Sequence, residues 1–399
     1  MADLAWSLFR HGYDAIEVDR SARGGPDDYE SRMLGRRALV VRSREGAQAF
    51  YDESLVRRRG AVPPPLAWLL FGRGAVHGLD APEHRERKAM FLEVLVPDRL
   101  PSLVDALRAT LRAQVATWPG RDVVLHDELV RAYGRAVLPW AGVPLAGEAA
   151  DASSRELAQM VDGFGFAGLA YARAWRARAA ANRWSRRLVE DVRADRLGVE
   201  SGTVLDVIAR SNLSARVAGV ELLNVLRPTV AVAWLGAFAG LRLDQHPARR
   251  AALADDAGTH DRFVFAQEVR RTTPFAPALA GRVRRSAQVA GLTGRRGDRI
   301  VLDVMGIDHD PARWPDPGRF DPARFRESGV GAFDLVPQGG GSPSAGHRCP
   351  GESVALRFLE VTLGVLASVD YRLAEAPVDR SRIPTLPRDG LVVHVPAAG

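Results

Sequence analysis

From about residue 308 to residue 350 the chain runs through a Pro- and Gly-rich stretch with neither helical nor strand period. Some forty residues without regular structure inside a compact domain are uncommon, and they are usually functional or disordered. Here Trp314, Phe320, Phe325 and Phe333 punctuate the stretch. Large aromatic side chains anchor a segment by the surface they bury, so it is expected to be ordered and wrapped around something. It ends in Gln338-Gly-Gly-Gly-Ser-Pro-Ser-Ala-Gly-His-Arg-Cys-Pro-Gly-Glu352. A helical pattern follows at once, with Val354, Phe358, Val361 and Val365 on its apolar side. Any fold for this chain has to hold that loop at the start of that helix.

Upstream the chain reads as helical. Ser102 is placed to cap a helix whose Leu103, Leu107 and Leu111 share one face, with Asp105 in its first turn. Further helical patterns cover 124–140, 169–194, 217–240 and 259–273. Strand patterns are fewer: 37–42, 280–286, 299–303 and 391–395. The expected fold is mainly α with a small β region. No repeat or low-complexity linker divides the chain, and the run from Val62 to Pro65 is a rigid turn, so a single domain over 1–399 is expected.

Composition narrows the class. At 46% hydrophobic and 26% charged residues, the 399-residue chain is of ordinary globular make-up. Cys349 is the single cysteine, which excludes a disulfide framework and a cysteine-rich zinc site. The N-terminus has no signal-peptide pattern, and the apolar stretch Pro228–Leu241 is roughly five residues short of a membrane span. A cytoplasmic protein with no membrane span is expected. The formal charge is +7, but Lys88 is the only lysine among 55 basic residues, and the arginines are spread among 48 acids. That dispersal looks like codon bias, so no nucleic-acid partner is expected.

The loop before the last helix admits three chemistries. A phosphate loop needs Lys and Ser/Thr after its second glycine, but His347 and Arg348 follow Gly346. A serine nucleophile elbow needs Gly-x-Ser-x-Gly, which the residues from Gly340 to Ser344 do not supply. The third is a thiolate at a helix N-terminus, where backbone N–H groups stabilise a sulfur anion and glycines admit a flat cofactor. A lone cysteine is ordinarily a small buried hydrophobe. One flanked by His, Arg, Pro and Gly is a poor core residue, which favours the thiolate.

Gly346-His-Arg-Cys-Pro-Gly-Glu352 resembles the ligand loop of the cytochrome P-450 haem-thiolate proteins, in particular their bacterial fatty-acid peroxygenase branch. Glu268-Val-Arg-Arg271 resembles the superfamily's Glu-x-x-Arg, and Asp321-Pro-Ala-Arg-Phe325 its third motif, in the same order along the chain. Ser342 stands where the superfamily usually has Phe, as expected for the branch's longer Gly-rich loop. The resemblance spans essentially the whole chain. It implies a single-domain haem-thiolate fold, haem b with Cys349 as iron ligand, and Glu268 with Arg271 as a structural pair. It also implies that His84 and Lys88, at i and i+4 on one helical face, hold the haem propionates, with further haem contacts from Arg58, Gln338, Gly340, His347 and Gly351.

Inside the apolar segment 217–240 stands Asn224-Val-Leu-Arg-Pro-Thr229. A proline inside a helix costs about 3 kcal/mol, and an unpaired buried arginine several more. Either two helices meet at Pro228 with Arg227 reaching water, or Arg227 is a cation held in an apolar pocket for an anion. Oxygen-activating relatives resemble this site with an acid–alcohol pair; here Arg227 and Pro228 stand instead, as in the peroxygenases. Guanidinium suits a bidentate carboxylate.

The resemblance therefore implies hydrogen peroxide as co-substrate and long-chain fatty acids as substrate. The acid's own carboxylate serves as general acid/base, and no redox partner is required. Reaction is expected at Cα and Cβ, as hydroxylation with some decarboxylation to terminal alkenes. His77 and Phe71 resemble distal-pocket residues, and His77 is expected to donate a proton that favours the alkene. The alternatives are a monooxygenase fed by redox partners and a non-catalytic haem-binding sensor.

Overall fold

The structure, a computed structural model, describes residues 3–164, 168–254, 258–326 and 329–397. Its centre is the helix Ala215–Gln245, which Ser214 caps by accepting a hydrogen bond from the Val217 N–H at 3.4 Å. Nearly every side chain from Ala218 to Leu243 is buried. A helix apolar all round has to be enclosed by others. Here Leu125–Trp140, Gly147–Asp162, Leu169–Arg193 and Glu352–Ala367 pack around it. This helix is long and apolar enough to cross a membrane, but 94% of its most apolar window is buried inside the protein.

The helix continues through Pro228, so the two-helix alternative is not what forms. Arg227 does not reach water: it is 4% exposed. Leu103, Leu107 and Leu111 are buried on one face of Leu100–Val115 as expected. The start differs: the helix begins at Leu100, and the Ser102 hydroxyl donates to the Arg99 carbonyl at 2.9 Å instead of capping an end. Pro101 suits such a first turn, because its missing N–H would have had no partner there.

The β component is a five-stranded sheet with a three-stranded one beside the helices and a short hairpin, Ala287–Val289 with Leu292–Gly294. In the larger sheet Arg36–Val41 pairs antiparallel with Tyr29–Met33 and parallel with Arg299–Asp303, Ala38 opposite Arg299. Ala278–Val283 and Val56–Arg57 complete it. Arg121–Val124, Val392–Val395 and Arg372–Leu373 form the smaller one.

The long irregular stretch is tied down at one buried ion pair. Arg271 donates from Nε and Nη2 to the two oxygens of Glu268 at 2.7 and 2.8 Å, and neither side chain has any exposed surface. The same guanidinium donates to the carbonyls of Asp308 at 2.8 Å and Pro317 at 3.0 Å. Glu268 in turn accepts from the Asp321 N–H at 2.8 Å and Arg324 Nε at 3.2 Å. Trp314, Phe320 and Phe325 are buried around it. Glu327 and Ser328, within the stretch, lie outside the described residues.

Candidate active site

The stretch delivers Cys349 to the start of Glu352–Ala367, and the loop is braced from three sides. The Cys349 N–H donates to the Gln338 carbonyl at 3.0 Å, closing the loop on itself. Arg348 donates to Glu352 at 2.7 Å and to the Gly341 carbonyl at 2.8 Å, while Arg270 reaches the other Glu352 oxygen. Lys88, on the helix Glu83–Val94, sends its ammonium to the carbonyls of Gly346 and Arg348 at 2.7 and 2.8 Å. The only lysine of the chain is thus a clamp on the ligand loop.

The thiol of Cys349 lies deep in the protein, where burial pushes its pKa up, yet it keeps accessible surface. Accessible surface at that depth means that it faces an internal space. Basic groups ring this space. His84, one turn before Lys88, stacks on His347 with ring centroids 3.8 Å apart. Burial pushes the pKa of His84 down to about 4, of Lys88 to about 8 and of Arg58 to about 10. His84 Nδ1 and Arg58 Nη1 are buried without a hydrogen-bond partner among the described residues. The nearest carboxylate, Glu53, is 4.0 Å from His84 Nδ1. Buried basic groups left short of anions, beside one deep thiol, fit a flat cofactor that carries two carboxylates.

A second cluster gathers at the 3₁₀ turn Val76–Gly78 and the long helix. The His77 imidazole stacks on Phe71 with centroids 4.2 Å apart, and Arg227 lies 5.6 Å from the same Phe71 ring. His77 is an exposed side chain by surface area, yet it lies deep among protein atoms, and this depth, with the charge of Arg227, pushes its pKa down to about 3. Arg227 Nη1 is buried without a partner among the described residues, and Nη2 reaches only Asn224 Oδ1, at 3.4 Å.

Glu221 connects both halves of this cluster and is a residue that sequence reasoning missed. It accepts from the Val76 N–H at 2.9 Å, from Arg87 at 2.6 Å and from Asn224 Nδ2 at 2.9 Å. Through Asn224 it orients Arg227, and through Val76 it anchors the turn that bears His77. An acid amid an apolar helical run was the available signal.

A deep thiol held by a loop at a helix start, with buried basic nitrogens left without partners in the same cluster, is what a haem-thiolate site requires. The family model described as Cytochrome P450 matches residues 265–369. Cytochrome P450 138 of Mycobacterium bovis is 27% identical over 388 residues, covering 90% of this chain and 86% of that protein. Among solved structures, cytochrome P450SP alpha in complex with (R)-ibuprofen superposes with a TM-score of 0.93 at 36% identity, covering 99% of this chain and 98% of that one. A variant of cytochrome P450 OleT in complex with arachidonic acid gives 0.93 at 28% identity, over 98% and 96% of the two chains. Cytochrome P450EX alpha with myristic acid gives 0.91 at 31% identity, again over 98% and 96%.

The chain belongs to the cytochrome P450 family, in its fatty-acid peroxygenase branch, and is a haem-thiolate oxidoreductase. Because it has one cysteine, the thiolate is that of Cys349.

Proposed function

We propose that this chain oxidises long-chain fatty acids with hydrogen peroxide at Cα and Cβ, giving hydroxy acids and some terminal alkene, and that it needs no redox partner. Cys349 would hold the haem, which would supply an iron centre for peroxide O–O cleavage with electron push from the thiolate. We assign the haem carboxylates to His84 and Arg58, with His347, Gln338, Gly340 and Gly351 lining the loop. Lys88 steadies that loop through Gly346 and Arg348.

The observation that carries this reading is Arg227. Its guanidinium is buried, keeps a nitrogen without a partner among the described residues, and has lost its ordinary hydration. An arginine held that way costs several kcal/mol unless an anion joins it. The neighbouring carboxylate, Glu221, is already shared by Arg87, Asn224 and Val76. A substrate carboxylate completes the pair with a charge-assisted hydrogen bond. Placed there, it is the acid/base group that the helix lacks: it takes a proton from peroxide and returns it to the departing oxygen. Pro228 holds that place without offering a competing hydroxyl or carboxylate. With the head group pinned, Cα and Cβ are the first carbons from the anchor and would be the ones oxidised. That two similar proteins were solved with arachidonic and myristic acid supports the substrate class.

The test is Arg227→Leu. Losing one buried charge-assisted contact costs roughly 3–5 kcal/mol, so fatty-acid binding and peroxide-driven turnover should each fall about a hundredfold or more while haem is retained. Turnover equal to wild type would remove the carboxylate from the mechanism.

A further inference from the structure

The outer face of the helix Leu169–Arg193 takes no part in the reading above. Its inner face, with Ala174, Ala177, Ala181, Ser185 and Val189, is buried against the core. Opposite that face, Leu169, Arg173, Arg176, Ala180, Arg183 and Arg187 succeed one another at alternating steps of four and three residues, which sets them in one line along the helix. The four arginines are exposed, and none makes a hydrogen bond or ion pair among the described residues. From Arg173 to Arg187 the line runs for about 21 Å.

Over the whole chain arginines are interspersed with acids, but from Leu169 to Val189 this helix has six arginines and no acid. The acids just beyond are taken: Glu190 pairs with Arg186 and Asp191 with Arg196. Glu156 on the neighbouring helix, whose carboxyl feels the charge of Arg183, accepts from Trp184 Nε1 at 3.1 Å. Like charges three or four residues apart on a helix repel, and an anionic surface laid against them offsets that repulsion. Leu169, 82% exposed at one end of the line, decides the kind of anion. Tyr171 and Trp175, half-exposed, follow it within two turns. An exposed leucine and aromatic rings beside a row of arginines match the boundary between charged head groups and acyl chains, whereas a phosphate backbone has nothing for the leucine. We propose that this face docks the enzyme peripherally on anionic lipid bilayers, the arginines on lipid phosphates and Leu169 at the acyl boundary. The proposal stands on the helix and does not depend on the oxidation proposed above.

The experiment is co-sedimentation of the haem-loaded enzyme with vesicles of phosphatidylcholine alone and of phosphatidylcholine mixed with phosphatidylglycerol. At low salt the mixed vesicles should bind at least about tenfold more tightly, and ~1 M sodium chloride should abolish the difference, because charges are then screened beyond about 3 Å. One basic residue near an anionic surface is worth about fivefold in binding. Arg176→Ala/Arg183→Ala should therefore weaken binding to the mixed vesicles roughly twentyfold, and Arg176→Lys/Arg183→Lys should keep most of it. Arg112→Ala/Arg121→Ala removes two exposed arginines on the helix Leu100–Val115 and the strand Arg121–Val124. That protein should stay within about twofold of wild type. Equal binding to the two kinds of vesicle, binding to neither, or a loss in Arg112→Ala/Arg121→Ala as large as in Arg176→Ala/Arg183→Ala would overturn the proposal. So would tight binding to random-sequence duplex DNA with none to the mixed vesicles, which would make the face a nucleic-acid surface.

Discussion

His77 is held neutral by its surroundings. Burial is the main cause and the Arg227 charge the next, and together they push its pKa down to about 3. The sequence expectation was a distal imidazole that gives up a proton to slow rebound of a substrate radical. A lowered pKa favours the neutral ring, which offers one N–H for hydrogen bonding. Its influence on product choice is then a matter of position against Phe71, on which it stacks. We predict that His77→Gln lowers the alkene fraction relative to hydroxy acids, because the stacked ring is lost. We also predict that the wild-type product ratio stays flat between about pH 5 and pH 8, where His77 does not titrate. Product analysis by chromatography across that range checks both. A step centred near pH 6.5 would reveal an imidazole in water, contrary to the packing described.

At the scale of elements, the irregular stretch depends on the Glu268–Arg271 pair, which sits wholly inside the protein and makes hydrogen bonds to residues 308, 317, 321 and 324. Removing one partner of a buried pair leaves the other uncompensated, at a cost of about 3–5 kcal/mol. Glu268→Ala should therefore lower the midpoint of urea unfolding markedly and reduce haem content, since the Cys349 loop follows this stretch. A variant that keeps both at wild-type values would show that the pair does not organise the stretch. How much of this was readable beforehand depended on the range of the interactions. The buried faces of Leu100–Val115 and Glu352–Ala367 follow local periodicity and were anticipated, as was Arg299–Asp303. The strands Tyr29–Met33 and Val56–Arg57 carry weak patterns and form because distant segments pair with them, Val56 opposite Val283 for instance. At the site, Cys349 and Arg227-Pro228 stood out as residues out of keeping with their neighbours. Glu221 offered the same kind of signal, an acid in an apolar run, but its role was not legible, because that depends on the groups the fold brings to it: Val76, Arg87 and Asn224.

At the scale of the whole molecule, several internal charges are left without partners among the described residues. Arg58 and His84 near the thiol, and Arg178 and Arg227 near His77, are all buried with nitrogens that have no partner among the described residues. Such groups oppose folding until an anion reaches them, so ligands that supply carboxylates stabilise the folded state by mass action. We predict that removing haem lowers the thermal midpoint and that a saturating fatty acid raises that of the loaded enzyme, both measurable by scanning calorimetry. Identical midpoints with and without haem would mean that the basic groups around Cys349 are satisfied some other way. The most direct test of the proposed chemistry compares a long-chain fatty acid with its methyl ester, using purified enzyme, hydrogen peroxide and no electron donor. We predict α- and β-hydroxy acids with some terminal alkene from the acid, and at most about a hundredth of that rate from the ester, which cannot carry the proton. Equal oxidation of the ester, or turnover of the acid only when an electron donor and reductase are added, would contradict a reaction run through the substrate's own carboxylate.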